Sequence, residues 1–142
     1  MNLKVKNISD IGGVVKAPPS KSYSHRAVIL ASLACGTSKL YDVLYSEDTL
    51  ASIRVCKALG AKITKHPDYL EVVGTFGKLH NSSENPIDLA NSGTTLRLMT
   101  SVASLSDNDV VLTCDVKNLD GTITNYVWKN ANGEQLATGE AL

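Results

Sequence analysis

Two short stretches of this chain gather cations, hydroxyls and close-approach residues at what reads as the start of a helix. The first is PPSKSYSHRAVILASLACG, residues 18–36. Lys21, Ser22, His25 and Arg26 crowd its front, and from Ala27 to Cys35 only Ser32 is polar. If the helix begins at Lys21, Ser22 and Arg26 stand one turn apart and share a face. A helix start carries unpaired N–H groups and about half a positive charge. Adding Lys and Arg to that end is unfavourable for folding alone and makes sense where an anion sits. Arg offers a planar fork for phosphate or carboxylate, and Lys a movable point charge. The plainer alternative is that both cations merely solvate a helix end.

The second stretch repeats the arrangement. Asn91, Ser92, Gly93, Thr94 and Thr95 supply donors and a glycine that lets a ligand come close, and Arg97 follows one turn into the helix. Leu98, Met99, Val102 and Ala103 then make the helix largely apolar. Its plain alternative is an ordinary helix capped by Asn91 or Ser92, with a surface arginine. Two helices built alike in one short domain point to a shared anionic ligand.

The elements that must position these starts follow from pattern. Residues 3–8 alternate and read as a strand, and Pro18–Pro19 keep the chain extended until Ser20 caps a helix running to about Cys35, with Gly36 at its end. Because that helix is apolar all round in its rear half, the rear half is expected in a core. Residues 39–44 read as a strand. Ser46 caps a second helix with Glu47 and Asp48 in its first turn and Gly60 as its stop. Residues 62–64 and 70–72 alternate around His66, Pro67 and Asp68 as a hairpin or a pair of linked strands. After a polar loop, the third helix opens around residues 88–97 and runs to about Leu105, and residues 110–113 form a strand. The order is β-α-β-α-β-β-α-β, an α/β (α+β) chain. Beyond Cys114 no helix is convincing, and residues 115–142 read as short antiparallel strands with tight turns at Asp120-Gly121 and Asn132-Gly133. The expected division is therefore 1–114 and a β-rich tail, 115–142.

Composition bounds the function. The chain has 142 residues, 43% hydrophobic and 20% charged, so it is globular and long enough for a core. A formal net charge of zero argues against a broad nucleic-acid footprint while leaving room for a local basic site. No run is apolar enough to span a membrane or serve as a signal peptide, so the expected address is the cytoplasm. Cys35, Cys56 and Cys114 are not at metal-ligand spacing, and Cys35 and Cys56 read as small core residues. His25 and His66 are given no catalytic role, His25 as an exposed histidine that could face a ligand.

PSKSYSHR, residues 19–26, resembles the N-terminal signature of the EPSP synthase (3-phosphoshikimate 1-carboxyvinyltransferase) family. NSGTTLR, residues 91–97, resembles its second hallmark, Asn-x-Gly-Thr-x-x-Arg. Ser46, Glu47 and Asp48, and Leu59, Gly60 and Ala61, fall in the family's order, and the resemblance runs over about residues 3–113. The sister family acting on a UDP-sugar has Asn where this chain has Ser22, which favours the shikimate branch. The resemblance implies a fold of repeated β-α-β-α-β-β units, here an incomplete enolpyruvyltransferase-like domain. It implies transfer of the enolpyruvyl group of phosphoenolpyruvate to the 5-hydroxyl of shikimate 3-phosphate, with release of phosphate and without redox cofactor or catalytic metal. By matching position, Lys21 would contact both substrates, and Ser22 and Arg26 would hold shikimate 3-phosphate. Asn91 and Gly93 would line the phosphoenolpyruvate site, supported by Thr94 and Arg97. The catalytic acid and base are not identified.

The likeness stops after residue 113. The family's Arg-Pro segment has no counterpart, since the last proline is Pro86. The later active-site groups and the facing domain are absent as well, so weak or absent catalysis by this chain alone is expected. Residues 120–128 look faintly like a strand pair of an extracellular β-sandwich. Two other readings stay open: a non-catalytic module that binds a phosphorylated metabolite, and an interaction or surface protein in which the tail matters most.

Overall fold

The structure, a computed structural model, describes residues 4, 6–7, 10 and 12–114, together with the backbone of 117–118, 121–122, 125–129 and 135–140. In chain order these hold α1 (Lys21–Leu33), β1 (Thr37–Tyr41), α2 (Glu47–Ala58), β2 (Lys62–Lys65), β3 (Tyr69–Val73), β4 (Ile87–Asp88), α3 (Gly93–Ala103) and β5 (Leu112–Thr113). The strand expected over residues 3–8 falls on Leu3, Val5 and Ile8, which lie outside the described residues.

Each helix starts at a serine. Ser20, Ser46 and Ser92 are the N-caps, and each side-chain oxygen accepts from the backbone N–H three residues on. At α2 the cap is a full capping box, because the Thr49 hydroxyl also takes the Ser46 N–H at 2.8 Å. That helix stops at Gly60, whose φ of +105° suits a residue without a Cβ. The N–H groups of Gly60 and Ala61 return to the carbonyls of Lys57 and Cys56, so the last turn is satisfied.

β1, β3 and β2 form an antiparallel sheet in that order, with Leu70 paired to Leu40 on one side and Lys65 on the other. Of the two arrangements that the alternation allows, β2 and β3 form the hairpin. Leu70 and Val72 of β3 point into the core with Ile63 of β2, where they meet Val28, Ile29 and Ala31 of α1 and Val55, Cys56 and Leu59 of α2. Burying each large aliphatic side chain fully is worth about 1.5–3 kcal/mol. The carbonyl-rich end of α1 is covered by the segment after β3: the N–H groups of Thr75, Phe76 and Gly77 bond to the carbonyls of Ser32, Ala34 and Leu33. Gly74 makes this approach possible, since a Cβ there would lie 2.1 Å from the Ala34 carbonyl oxygen.

Several expectations are corrected. The rear half of α1 is not wholly buried: Val28 and Ile29 are, but Leu30 is 66% exposed, because the sheet and α2 cover only one side of the helix. Cys35 is exposed, lying just past the end of α1, whereas Cys56 is buried as expected. The first internal strand is shifted towards the N-terminus and ends at Tyr41, just before Asp42, whose φ is +52°. Asp88 does not open the third helix. It ends β4, which pairs in parallel with β5, so that Ile87 lies beside Leu112 and Asp88 beside Thr113. α3 follows only after a turn in which Ala90 has φ +51° and its N–H is held by the Asp88 carboxylate at 2.7 Å.

In the tail the backbone forms two antiparallel pairs, β6 (Lys117–Asn118) with β7 (Gly121–Thr122) and β8 (Asn125–Lys129) with β9 (Gln135–Glu140). The expected turn residues Asp120, Asn132 and Gly133 lie outside the described residues, and Gly121 is the first residue of β7.

Candidate functional site

α1 and α3 have no acidic residue in their first turns, whereas α2 carries Glu47 and Asp48 in its own. The two helices singled out as anion sites are thus the two whose positive ends lack an acid of their own.

At the start of α1, Lys21, Ser22 and Arg26 are all exposed. Arg26 Nη2 donates to Ser22 Oγ at 3.1 Å, so the predicted common face exists, and its guanidinium carbon lies 6.0 Å from the Tyr23 ring centre. Lys21 forms an ion pair with Asp48 of α2. This pair was not read from the sequence, where Asp48 figured as a first-turn acid and as part of the family's order. Its consequence is that the Lys21 ammonium is tethered over the α1–α2 junction instead of roaming in solvent.

At the start of α3, Asn91, Gly93, Thr94 and Arg97 are exposed while Ser92 and Thr95 are buried. Among the described residues no hydrogen bond or ion pair is recorded for the side chains of Asn91, Thr94 or Arg97. A Cβ built on Gly93 would meet no atom within 4 Å, so the space in front of the helix start is open and nothing in the chain's own packing calls for glycine there.

The two starts are joined through the core by polar contacts. His25 Nδ1 lies 2.8 Å from Ser52 Oγ, and Ser52 Oγ lies 2.9 Å from Thr95 Oγ1. Thr95 also receives the Ser92 hydroxyl at 2.8 Å and donates to the Asp48 carbonyl at 3.0 Å. Asp48 therefore touches both starts, by its carboxylate to Lys21 and by its carbonyl to Thr95. His25 is 1% exposed, which corrects the reading of it as an exposed histidine. Burial, and after it the Lys21 charge, holds its pKa below the ordinary 6.5. Ser52 did not stand out in the sequence, and Thr95 figured only as one donor of the second stretch, not as a link between the helices; the available signal was a hydroxyl residue at a helix position otherwise given to apolar ones.

The profile of the EPSP synthase (3-phosphoshikimate 1-carboxyvinyltransferase) family matches residues 5–118. A 3-phosphoshikimate 1-carboxyvinyltransferase of Methanobrevibacter smithii is 78% identical over 115 residues, covering 81% of this chain and 26% of the relative. Another, from Methanothermobacter thermautotrophicus, is 51% identical over 115 residues, covering 81% of this chain and 27% of the relative. The solved EPSP synthase of Acinetobacter baumannii superposes with a TM-score of 0.66 at 28% identity, covering 72% of this chain and 24% of that one. A second structure of an EPSP synthase from that organism gives a TM-score of 0.68 at 22% identity, a likeness of fold, over 89% of this chain and 31% of that one. The chain spans about a quarter of the length of the curated relatives it matches. Among the described residues no helix is long and apolar enough to cross a membrane. With two motif-bearing helix starts, one fold and one matching profile over residues 5–118, this chain belongs to the EPSP synthase family.

Proposed function

We propose that this chain is the N-terminal, substrate-holding part of an enolpyruvyltransferase that moves the carboxyvinyl group of phosphoenolpyruvate onto shikimate 3-phosphate. Lys21, Ser22 and Arg26 hold shikimate 3-phosphate at the start of α1. Asn91 and Gly93, with Thr94 and Arg97, hold phosphoenolpyruvate at the start of α3. Residues 1–114 form the family part, and 115–142 a β-rich tail.

The reading is supported above all by Asp48, which tethers the Lys21 ammonium and the Thr95 hydroxyl to one residue and so ties the two helix starts together. Both substrates are anions, and bringing them into contact means cancelling their repulsion at a fixed geometry. Two positive helix ends, each supplemented by an arginine, do that without a flexible arm. Arg26 and Arg97 are charged at every accessible pH, so the site keeps its cations while substrate protons move. Titration of shikimate 3-phosphate into the chain by calorimetry, alone and with phosphoenolpyruvate, tests this. Binding of the first, strengthened by the second, is expected; absence of heat with either ligand would refute it.

A further inference from the structure

A histidine, two serines and a threonine are an expensive way to fill the space between three helices. His25, Ser52, Ser92 and Thr95 are each 1% exposed or less, and every one is within hydrogen-bond reach of another. Buried polar groups of this kind cost stability unless paired, and when paired they fix one arrangement of the elements that carry them. Here the carriers are α1, α2 and the start of α3, and the sequence separations along the chain of contacts are 27 and 43 residues.

Counting protons gives the chain a direction. Thr95 has one hydroxyl proton, which goes to the Asp48 carbonyl at 3.0 Å. Its oxygen is then an acceptor for both Ser92 Oγ and Ser52 Oγ. Ser52 has thereby used its proton, so at the 2.8 Å contact with His25 its oxygen accepts and Nδ1 donates. The opposite direction would have Ser52 donate to Nδ1, leave the Asp48 carbonyl without Thr95, and place an unpaired N–H at Nε2. That atom has no partner among the described residues, and a buried lone pair is the cheaper orphan than a buried donor.

We propose that His25 is a positioning residue, held neutral as the Nδ1–H tautomer, whose proton donated through Ser52 to Thr95 keeps the start of α3 in register with the start of α1. This rests on the substrate-holding reading for its purpose but not for its test. The imidazole acts through Thr95 and touches no substrate. Ser92 and Thr95 are the cap and the third residue of α3, so a shift of either moves Gly93 and Thr94 with it.

Nitrogen-15 spectra of the histidine-labelled chain read the tautomer directly. The expected result is Nδ1–H at His25 in the parent chain and Nε2–H, the form preferred in solution, in S52A. An Asn amide nitrogen reaches about where Nδ1 sits, and a Gln amide nitrogen nearer to Nε2. H25N should therefore leave the amide resonances of Ser92 to Thr95 close to the parent positions, and H25Q should displace them. Shikimate 3-phosphate affinity should follow, within about twofold for H25N and down at least fivefold for H25Q. Should H25Q fail to fold, S52A is expected to displace the same resonances. An Nε2–H tautomer in the parent chain, or equal displacement by H25N and H25Q, overturns the proposal. If the tautomer and resonances behave as stated while the parent chain binds no shikimate 3-phosphate, the positioning role stands and the substrate reading falls.

Discussion

Thr95 Oγ1 on α3 lies 3.0 Å from the backbone carbonyl of Asp48 on α2, and donates to it. Because the Asp48 carboxylate also pairs with Lys21, one residue of a third helix fixes the front ends of the other two. An anion site spread over two helices needs such a strut, since neither start can be placed by its own helix alone.

The strut can be cut. Thr95→Val keeps the shape but removes a buried hydroxyl that serves Ser52, Ser92 and Asp48. Leaving a buried polar partner unsatisfied costs about 1–3 kcal/mol. A loss of that size in urea unfolding is expected, and a variant as stable as the parent would show the network to be idle.

Arg26 tests the opposite case. It is exposed and, among the described residues, its side chain's one hydrogen bond is to Ser22, so Arg26→Ala should change stability by no more than about 0.5 kcal/mol. Anion affinity should fall about tenfold or more, as for loss of a charge-assisted pair. Calorimetry with shikimate 3-phosphate beside a thermal melt separates the two quantities. Unfolding on substitution would make Arg26 a structural residue.

Gly74→Ala should destabilise strongly, by about 2 kcal/mol or more, because the new methyl group would overlap the carbonyls of Ala31 and Ala34. The loss of the hydrogen bonds from residues 75–77 to the end of α1 should follow, visible as faster amide exchange at Thr75 and Gly77.

Acid should weaken the fold through His25. Its pKa is lowered in the folded state by burial and by Lys21, so below about 6.5 the unfolded chain binds a proton that the folded chain resists. Stability is then full above that pH and declines as pH falls towards the folded value. The charges recorded beside it are Lys21 on its own helix and Asp48, which pairs with Lys21. H25N should flatten the decline between pH 7 and 5 while the other histidines remain. Parallel pH profiles for parent and variant would contradict the assignment.

Much of the frame could be read in advance because local chemistry marks it. Ser20, Ser46 and Ser92 cap helices for the same reason in a peptide as in a fold, and Gly60 stops one. The strands β2 and β3 likewise follow from alternation. What escaped is what packing alone decides. β4 is two residues long, too short to show a period, and its parallel pairing with β5, which lies within the strand read over residues 110–113, joins segments far apart in the chain. Leu30 and Cys35 looked buried by hydropathy, but which side of α1 is covered depends on where the sheet lies. His25 looked exposed because it sits among charged neighbours, whereas its partner Ser52, and Thr95 beyond it, belong to other helices. At the site, Lys21, Ser22, Arg26, Asn91, Gly93 and Arg97 stand exposed at the two helix starts, and the residues that hold those starts together were the illegible part.

The most direct measurement is an amide chemical-shift map of the labelled chain titrated with shikimate 3-phosphate and phosphoenolpyruvate. Both helix starts should respond together, with the largest changes at Lys21, Ser22 and Arg26 and at Asn91, Gly93 and Thr94. Saturable shifts confined elsewhere, or none at millimolar ligand, would contradict the existence of a joint anion site.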